Sequence, residues 1–211
     1  MRKSRISRYS LSAAALGVVA FFWRQRRKPI QHPPPLTFLF ENPVLEAFAG
    51  VELLIDRLDP APGMRVLDAG CGPGRLTIPL ARTVEPNGEV VALDSQAAML
   101  RKLERRVVDE GLINVQPLEV GLGEGALEEG AFDRALLAMV LGEVRDKEAA
   151  LRELYRALNP GGILSVTEAF GDPDYRRPET VRREVETAGF RLVARFGGFP
   201  VYTLNFEKPR G

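Results

Sequence analysis

The stretch RVLDAGCGPGRLTIPLA, Arg65 to Ala81, constrains this chain more than any other. A short apolar run ends in an acid, glycines stand at positions 70, 72 and 74, and a helical apolar pattern starts directly after them. A strand that passes into a helix through so bare a backbone opens a β-to-α unit. In an open α/β sheet, ligands bind at such turns, beyond the carboxyl ends of the strands. Glycine there reaches conformations closed to other residues and removes the Cβ that would hold a ligand away. Tight turns that bind nothing also use glycine, so the turn marks a candidate site without naming its ligand. The dinucleotide spacing G-x-G-x-x-G would put its third glycine at position 75, which is Arg75. A pyrophosphate cradle, and with it an NAD-dependent oxidoreductase, is therefore disfavoured.

Short apolar runs alternate with helical segments along the rest of the chain. Leu45, Phe48, Val51, Leu54, Ile55 and Leu58 fall at helical spacing before DPAPGM breaks the pattern. RVLDA, EVVALD, NVQPLEV, RALLAMV and ILSVTE read as strands. Helices are expected from about Arg75, from Gln96 with Leu100, Leu103 and Val107 on one face, from Asp146 to Leu158, and from Pro178 to Ala188. Asp146 is the candidate N-cap of the third of these, and NPGG at 159–162 stops it before the strand. This βαβ alternation implies an α/β fold with a doubly wound parallel sheet. The end differs: FRLVARF, a Gly-Gly-Phe-Pro turn and VYTLNFE, with Tyr202, Leu204 and Phe206 alternating, read as a hairpin that adds an antiparallel edge.

Charge is split along the chain. No Asp or Glu precedes Glu41, while Arg2, Lys3, Arg5, Arg8, Arg24, Arg26, Arg27 and Lys28 all do, so the first forty residues carry about +8. The remainder holds 21 basic against 28 acidic side chains. It lacks the basic footprint of a nucleic-acid binder, and no DNA or RNA partner is expected. The one cysteine, Cys71, allows neither an intrachain disulfide nor a cysteine zinc cluster, and no metal site is expected. The one histidine, His32, lies in KPIQHPPP, a proline-stiffened linker, which leaves the domain proper no imidazole for acid–base work.

Residues 1–35 form a basic segment separate from a domain at 36–211. Within it, LSAAALGVVAFFW, Leu11 to Trp23, is a candidate membrane anchor of thirteen uncharged residues. That is shorter than the roughly 17 to 25 of a usual span. Tyr9 and Trp23 suit the two interfaces, and Arg8 and Arg24 could snorkel. No small-x-small cleavage site follows, which argues against a secretory signal. An Arg- and Ser-rich, acid-free start also describes a mitochondrial presequence. Basic charge on both flanks does not choose an orientation, but a cytosolic cofactor would require the domain to face the cytoplasm. The expectation is membrane association with the domain on that side, with mitochondrial or soluble cytoplasmic placement as alternatives.

VLDAGCGPG, with VVALD beginning sixteen residues later, together with FDRALLAMVLGEV and ALRELYRALNPGGILSVTE, resembles the motifs of class I S-adenosylmethionine-dependent methyltransferases. The resemblance covers about Leu53 to Lys208 and points to the small-molecule branch (methyltransferase type 11) that includes quinone-biosynthesis enzymes. It implies a Rossmann-like seven-stranded sheet of order 3-2-1-4-5-7-6 with an antiparallel C-terminal hairpin, and S-adenosylmethionine as cofactor. In that family the first-strand acid, here Asp68, holds the methionine ammonium directly or through water. The turn backbone, here Gly70, Cys71, Gly72 and Gly74, passes under the cofactor, and the second-strand acid, here Asp94, bonds both ribose hydroxyls. The residue types agree, because a carboxylate can accept from two vicinal hydroxyls as a charge-assisted pair. Ser95 stands beside it as the expected cap of the next helix. Met99 is either an adenine contact or core. Cys71 reads as a filler of the turn, since no His or Lys adjoins it to activate its thiol.

The chain departs from the family at two places. No Asp follows the third strand in EVGLGEGALEEGAFD, so Glu119 or the backbone near Leu122 is left to meet the adenine amine. After the fourth strand many relatives carry a histidine, whereas VLGEV has Gly142 and leaves Glu143 as the nearest polar group. Methyl transfer is an in-line displacement for which alignment alone can supply about 7 to 11 kcal/mol. A base is needed only for a phenol or an acidic carbon, and Glu143, Glu168 and Tyr175 are the candidates. The expected acceptor is a small molecule, apolar or membrane-embedded, with Phe38, Phe40 and Phe48 as candidate lid residues. An anchored protein lysine methyltransferase and a non-catalytic S-adenosylmethionine-binding protein are the alternatives.

Overall fold

The structure, a computed structural model, describes residues 50–211. The candidate anchor Leu11–Trp23, the linker with His32, and Phe38, Phe40, Leu45 and Phe48 lie outside the described residues. Among the described residues no helix is long and apolar enough to cross a membrane.

The chain runs α1 (Val51–Leu58), β1 (Arg65–Ala69), α2 (Thr77–Val84), β2 (Glu89–Asp94), α3 (Ala97–Asp109), β3 (Val115–Glu119), β4 (Phe132–Ala138), α4 (Lys147–Ala157), β5 (Leu158–Ala169), α5 (Pro178–Thr187), β6 (Arg191–Gly197) and β7 (Val201–Glu207). The strands form one sheet of order β3-β2-β1-β4-β5-β7-β6, the order that the resemblance implies. The first five strands pair in parallel, and β7 enters antiparallel between β5 and β6.

Helices cover both faces, so the central strands are apolar at successive positions. Val66 and Leu136 pack with Leu54 of α1, Leu80 of α2 and Leu103 of α3. Their neighbours Leu67 and Leu137 point the other way, against Leu154 of α4 and Val181 of α5. That two-sided burial is why these strands read as continuous apolar runs.

Local signals hold at α4, where the Asp146 side chain accepts from the Ala149 N–H at 2.9 Å. Two expectations are corrected. NPGG ends α4 but is no loop: β5 starts at Leu158, opposite Phe132, and a register shift between Phe132 and Arg134 absorbs the irregular residues. Ser95 is not the cap of α3: Gln96 holds that position without a side-chain bond, and the Asp94 carboxylate takes the Gln96 N–H instead. β7 is covered on both faces, since Thr203 and Asn205 are buried along with Tyr202, Leu204 and Phe206. α1 closes over them, with Arg57 donating to Thr203 Oγ1 at 2.8 Å and Asn205 donating to the Arg57 carbonyl at 2.6 Å.

Glu153 of α4, 3% exposed, was not legible as special in the sequence. Its carboxylate accepts from the Gly123 and Leu127 N–H groups at 2.6 and 3.0 Å, holding the long β3–β4 connection. Glu153→Ala leaves both donors without this partner. Since hydrogen bonds to charged groups contribute about 1.5–3 kcal/mol each, a loss of about 3–6 kcal/mol is expected in urea denaturation.

Candidate functional site

Asp68 and Asp94 stand at the carboxyl ends of neighbouring parallel strands, with Asp68 opposite Ala92 in register. The glycine turn is laced to β2, because the Gly70 and Cys71 N–H groups both donate to the Leu93 carbonyl, at 2.7 and 3.0 Å. Asp94 completes the lacing: Oδ2 accepts from the Gly72 N–H at 2.9 Å and Oδ1 from the Gln96 N–H at 2.8 Å. Asp68 accepts from the Thr77 hydroxyl at 2.6 Å. Thr77 is a site residue that sequence reasoning missed; its signal was a hydroxyl in the first turn of the helix that follows the glycines.

Both acids are buried, Asp68 at 3% and Asp94 at 7% exposure. Burial pushes the Asp68 carboxyl up to about 6 against the bond from Thr77, with the Asp94 charge adding to the rise. Asp94 is also raised, first by burial, against its two backbone donors; Glu143 adds to the rise by charge. Both carboxyls are raised first by desolvation, so a cationic, hydroxyl-bearing ligand would offset the cost of their buried charge.

Gly72 makes room for such a ligand. Its φ is +54°, and among the described residues nothing lies within 4 Å of where a Cβ would stand. Gly70, at φ +78°, is bare for packing reasons instead, since a Cβ there would come 2.4 Å from Val140 Cγ2. Gly72→Ala is therefore expected to weaken ligand binding tenfold or more at a stability cost of about 1–2 kcal/mol for the left-handed backbone. Gly70→Ala adds overpacking worth about 1–3 kcal/mol and should lower the melting temperature further. Calorimetric titration beside thermal scanning separates the two.

Cys71 is buried at 6%, packs in the α1–α3 apolar layer, and has its thiol pKa pushed up by burial and then by the charges of Asp68 and Asp94, as befits a filler. Gly74 faces Leu103 Cδ1, which a Cβ would meet at 2.4 Å. Met99 is buried on α3 at 5% exposure and, among the described residues, belongs to none of the three apolar clusters. Ser95 and Glu119 are exposed, and Glu119 ends β3 in register with Asp94. Leu122 packs against the core on the segment that Glu153 holds.

The three candidate bases occupy different surroundings. Glu143 is exposed in the turn after β4, where its N–H donates to the Val140 carbonyl at 2.9 Å. Tyr175 is half-buried and packs edge-on against Phe170 and Tyr202, with centroids 5.8 and 6.2 Å away. Glu168, 1% exposed near the end of β5, accepts from the Arg176 N–H at 3.3 Å through Oε2. Its Oε1 is buried with no hydrogen-bond partner among the described residues. Burial pushes this carboxyl up to about 8 against the Arg176 N–H bond, and Asp172 raises it further. Arg176, which forms an ion pair with Glu184, was not singled out in the sequence. Gly142 finds its reason here: a Cβ would lie 2.1 Å from the Asp174 carbonyl, so glycine lets the β4 and β5 turns touch.

Residues 66–162 match the family described as a methyltransferase domain. Together with this strand order and antiparallel C-terminal pair, that match supports a class I S-adenosylmethionine-dependent methyltransferase domain. Among curated proteins it is similar to the ubiquinone/menaquinone biosynthesis C-methyltransferase of Shewanella sp. (strain W3-18-1), with 34% identity over 137 residues, 64% of this chain and 53% of that enzyme. It is also similar to an uncharacterized 37.1 kDa protein in a Streptomyces fradiae transposon, with 39% identity over 126 residues, 58% of this chain and 34% of the relative. The chain thus spans about half or less of the length of these relatives. A crystal structure of an S-adenosylmethionine-dependent methyltransferase from Aquifex aeolicus superposes with TM-score 0.75 at 24% identity, covering 83% of this chain and 98% of that one, a likeness of fold. S-adenosylmethionine is the cofactor of this class. The open space at Gly72, whose N–H is held by the buried Asp94, fits this cofactor, with Asp94 the acceptor available to its vicinal hydroxyls and Asp68 the buried acid available to its ammonium.

Proposed function

We propose that this chain transfers the methyl group of S-adenosylmethionine to a ring carbon of a lipid-soluble phenolic or quinol-type acceptor. The observation that carries the chemistry is Glu168, a buried carboxyl with an unpartnered oxygen, held near pH 8 at the carboxyl end of β5. The acceptor class is supported by the likeness to the Shewanella C-methyltransferase. When bound, the cofactor supplies a methyl group already activated on a sulfonium. Asp94 would accept from the ribose hydroxyls, Asp68 would meet the ammonium, and the backbone of Gly70, Cys71, Gly72 and Gly74 would support the cofactor. Met99 and Ser95 flank the adenine side. As the acceptor's ring carbon bonds to the methyl group the methyl–sulfur bond would break, leaving the neutral thioether S-adenosylhomocysteine, and Glu168 would accept, directly or through one water, the proton that the ring carbon gives up. A base poised near the working pH is the efficient choice. Glu143 adds negative charge at the cleft, and Tyr175 walls the acceptor side. The basic-flanked run Leu11–Trp23 supports placing the chain on a membrane, where such an acceptor dissolves, and use of a cytosolic cofactor would put the domain on the cytoplasmic side.

The test is incubation of the full chain with methyl-labelled cofactor and separate quinol, simple phenol and lysine-peptide acceptors. Label on a ring carbon is the expected result. Label on oxygen or lysine overturns the acceptor assignment, and cofactor binding with no transfer to any of them favours a binding protein.

A further inference from the structure

Two phenylalanines protrude from the carboxyl edge of the sheet. Phe170 directly follows β5 and is 58% exposed, and Phe199, in the turn between β6 and β7, is 80% exposed. They are neighbours because Ala169 pairs with Val201 and the Phe170 N–H donates to the Pro200 carbonyl at 2.7 Å. Their rings lie 5.0 Å apart, and Tyr175 braces Phe170 from behind while itself resting on the buried Tyr202. An aromatic pair mounted this firmly yet left in water needs an apolar partner.

We propose that Phe170 and Phe199 dip into a lipid bilayer and hold the carboxyl edge of the sheet, which carries the glycine turn, against the membrane surface. This goes beyond the reaction assigned above and does not rest on it. A second copy of the chain is the poorer fit. Two partly exposed rings offer roughly 300 Å² between them, while a stable protein interface takes about 800 Å² from each partner. A bilayer needs no matching shape, and aromatic rings favour its interface. The segment from Phe170 to Arg177 carries Asp172 and Asp174 against Arg176 and Arg177, so the contact is apolar and needs no anionic lipid. Upstream, Leu11–Trp23 between Arg8 and Arg24 supplies a separate reason for a bilayer to be near, and 26 residues separate Trp23 from Gly50.

The full chain carrying Phe199→Cys, labelled with a solvent-sensitive fluorophore, tests this. Cys71 is 6% exposed and is spared by the reagent. The comparison is Ile113→Cys, since Ile113 is 97% exposed but precedes β3 at the opposite, amino edge of the sheet. On adding phosphatidylcholine vesicles, the label at 199 should shift to the blue, lose severalfold in iodide quenching and be quenched by acyl-brominated lipid. The label at 113 should stay unchanged. No response at 199, equal responses at both positions, or a shift that requires anionic lipid overturns the proposal. Protection of position 199 from iodide before vesicles are added also overturns it, because the pair is then covered by the chain itself or by a second copy.

Discussion

Asp94→Ala will lower the affinity for S-adenosylmethionine by about 100- to 1,000-fold in calorimetric titration. Two charge-assisted hydrogen bonds at about 1.5–3 kcal/mol each, at 1.4 kcal/mol per decade, would remove about two to four decades, and the range given takes the lower half because water replaces part of what is lost. The same carboxylate accepts from the Gly72 and Gln96 N–H groups, so its removal also loosens the turn the ligand rests on. Asp94→Asn divides the two roles. One amide oxygen can replace a single backbone acceptor, but the amide nitrogen cannot accept from the other donor, so an intermediate loss is expected. Full affinity in Asp94→Ala would remove the glycine turn from consideration as the cofactor site. A companion measurement uses Asp68, held up to about 6 by burial. A bound ammonium lowers that value, so cofactor binding should release protons near pH 6, read as a buffer-dependent binding enthalpy.

Glu168→Gln will lower kcat by about 10²- to 10⁴-fold, the usual contribution of general acid–base catalysis, and remove the rise in rate as pH passes through about 8. The same change alters stability in a direction that burial dictates. The native state keeps the Glu168 proton up to about 8, whereas the unfolded chain releases it near the ordinary 4.5. Unfolding between those values therefore releases a proton, and the Glu168 contribution to stability falls as pH rises across that window. The Gln variant should lose this part of the pH dependence and match or exceed the parent in melting temperature above pH 8. Unchanged kcat in a variant that has lost this slope would show Glu168 buried but idle.

Periodicity and the glycine turn sufficed to order the elements because both signals are local: a strand of RVLDA type, a bare turn and an amphipathic helix each declare themselves within a few residues. Asp146 as the cap of α4 belongs to the same class, its acceptor lying only three residues from its donor. Boundaries failed where a partner overrode local chemistry. NPGG carries turn residues, yet pairing with β4 draws β5 back to Leu158. Thr203 and Asn205, polar residues between apolar neighbours, are buried because α1, nearly 150 residues away in sequence, covers them (|i−j| 146 and 148).

The candidate site divides along the same line. The positions of Asp68, Asp94 and the glycines were legible because a β-to-α turn at the carboxyl end of a strand is a local motif. What their environment does to them was not. The Asp68–Thr77 bond, the raised Glu168 carboxyl and the contact of Gly142 with Asp174 arise only when separate turns meet. The sequence by itself determined the class of fold, the strand order through its resemblance, and which acids stand at the strand ends. Tertiary structure alone decided which of those acids are buried, which oxygens are left without a partner, and which aromatic rings remain in water. Desolvation and close contact depend on residues far apart in the chain, and no short stretch of sequence encodes them.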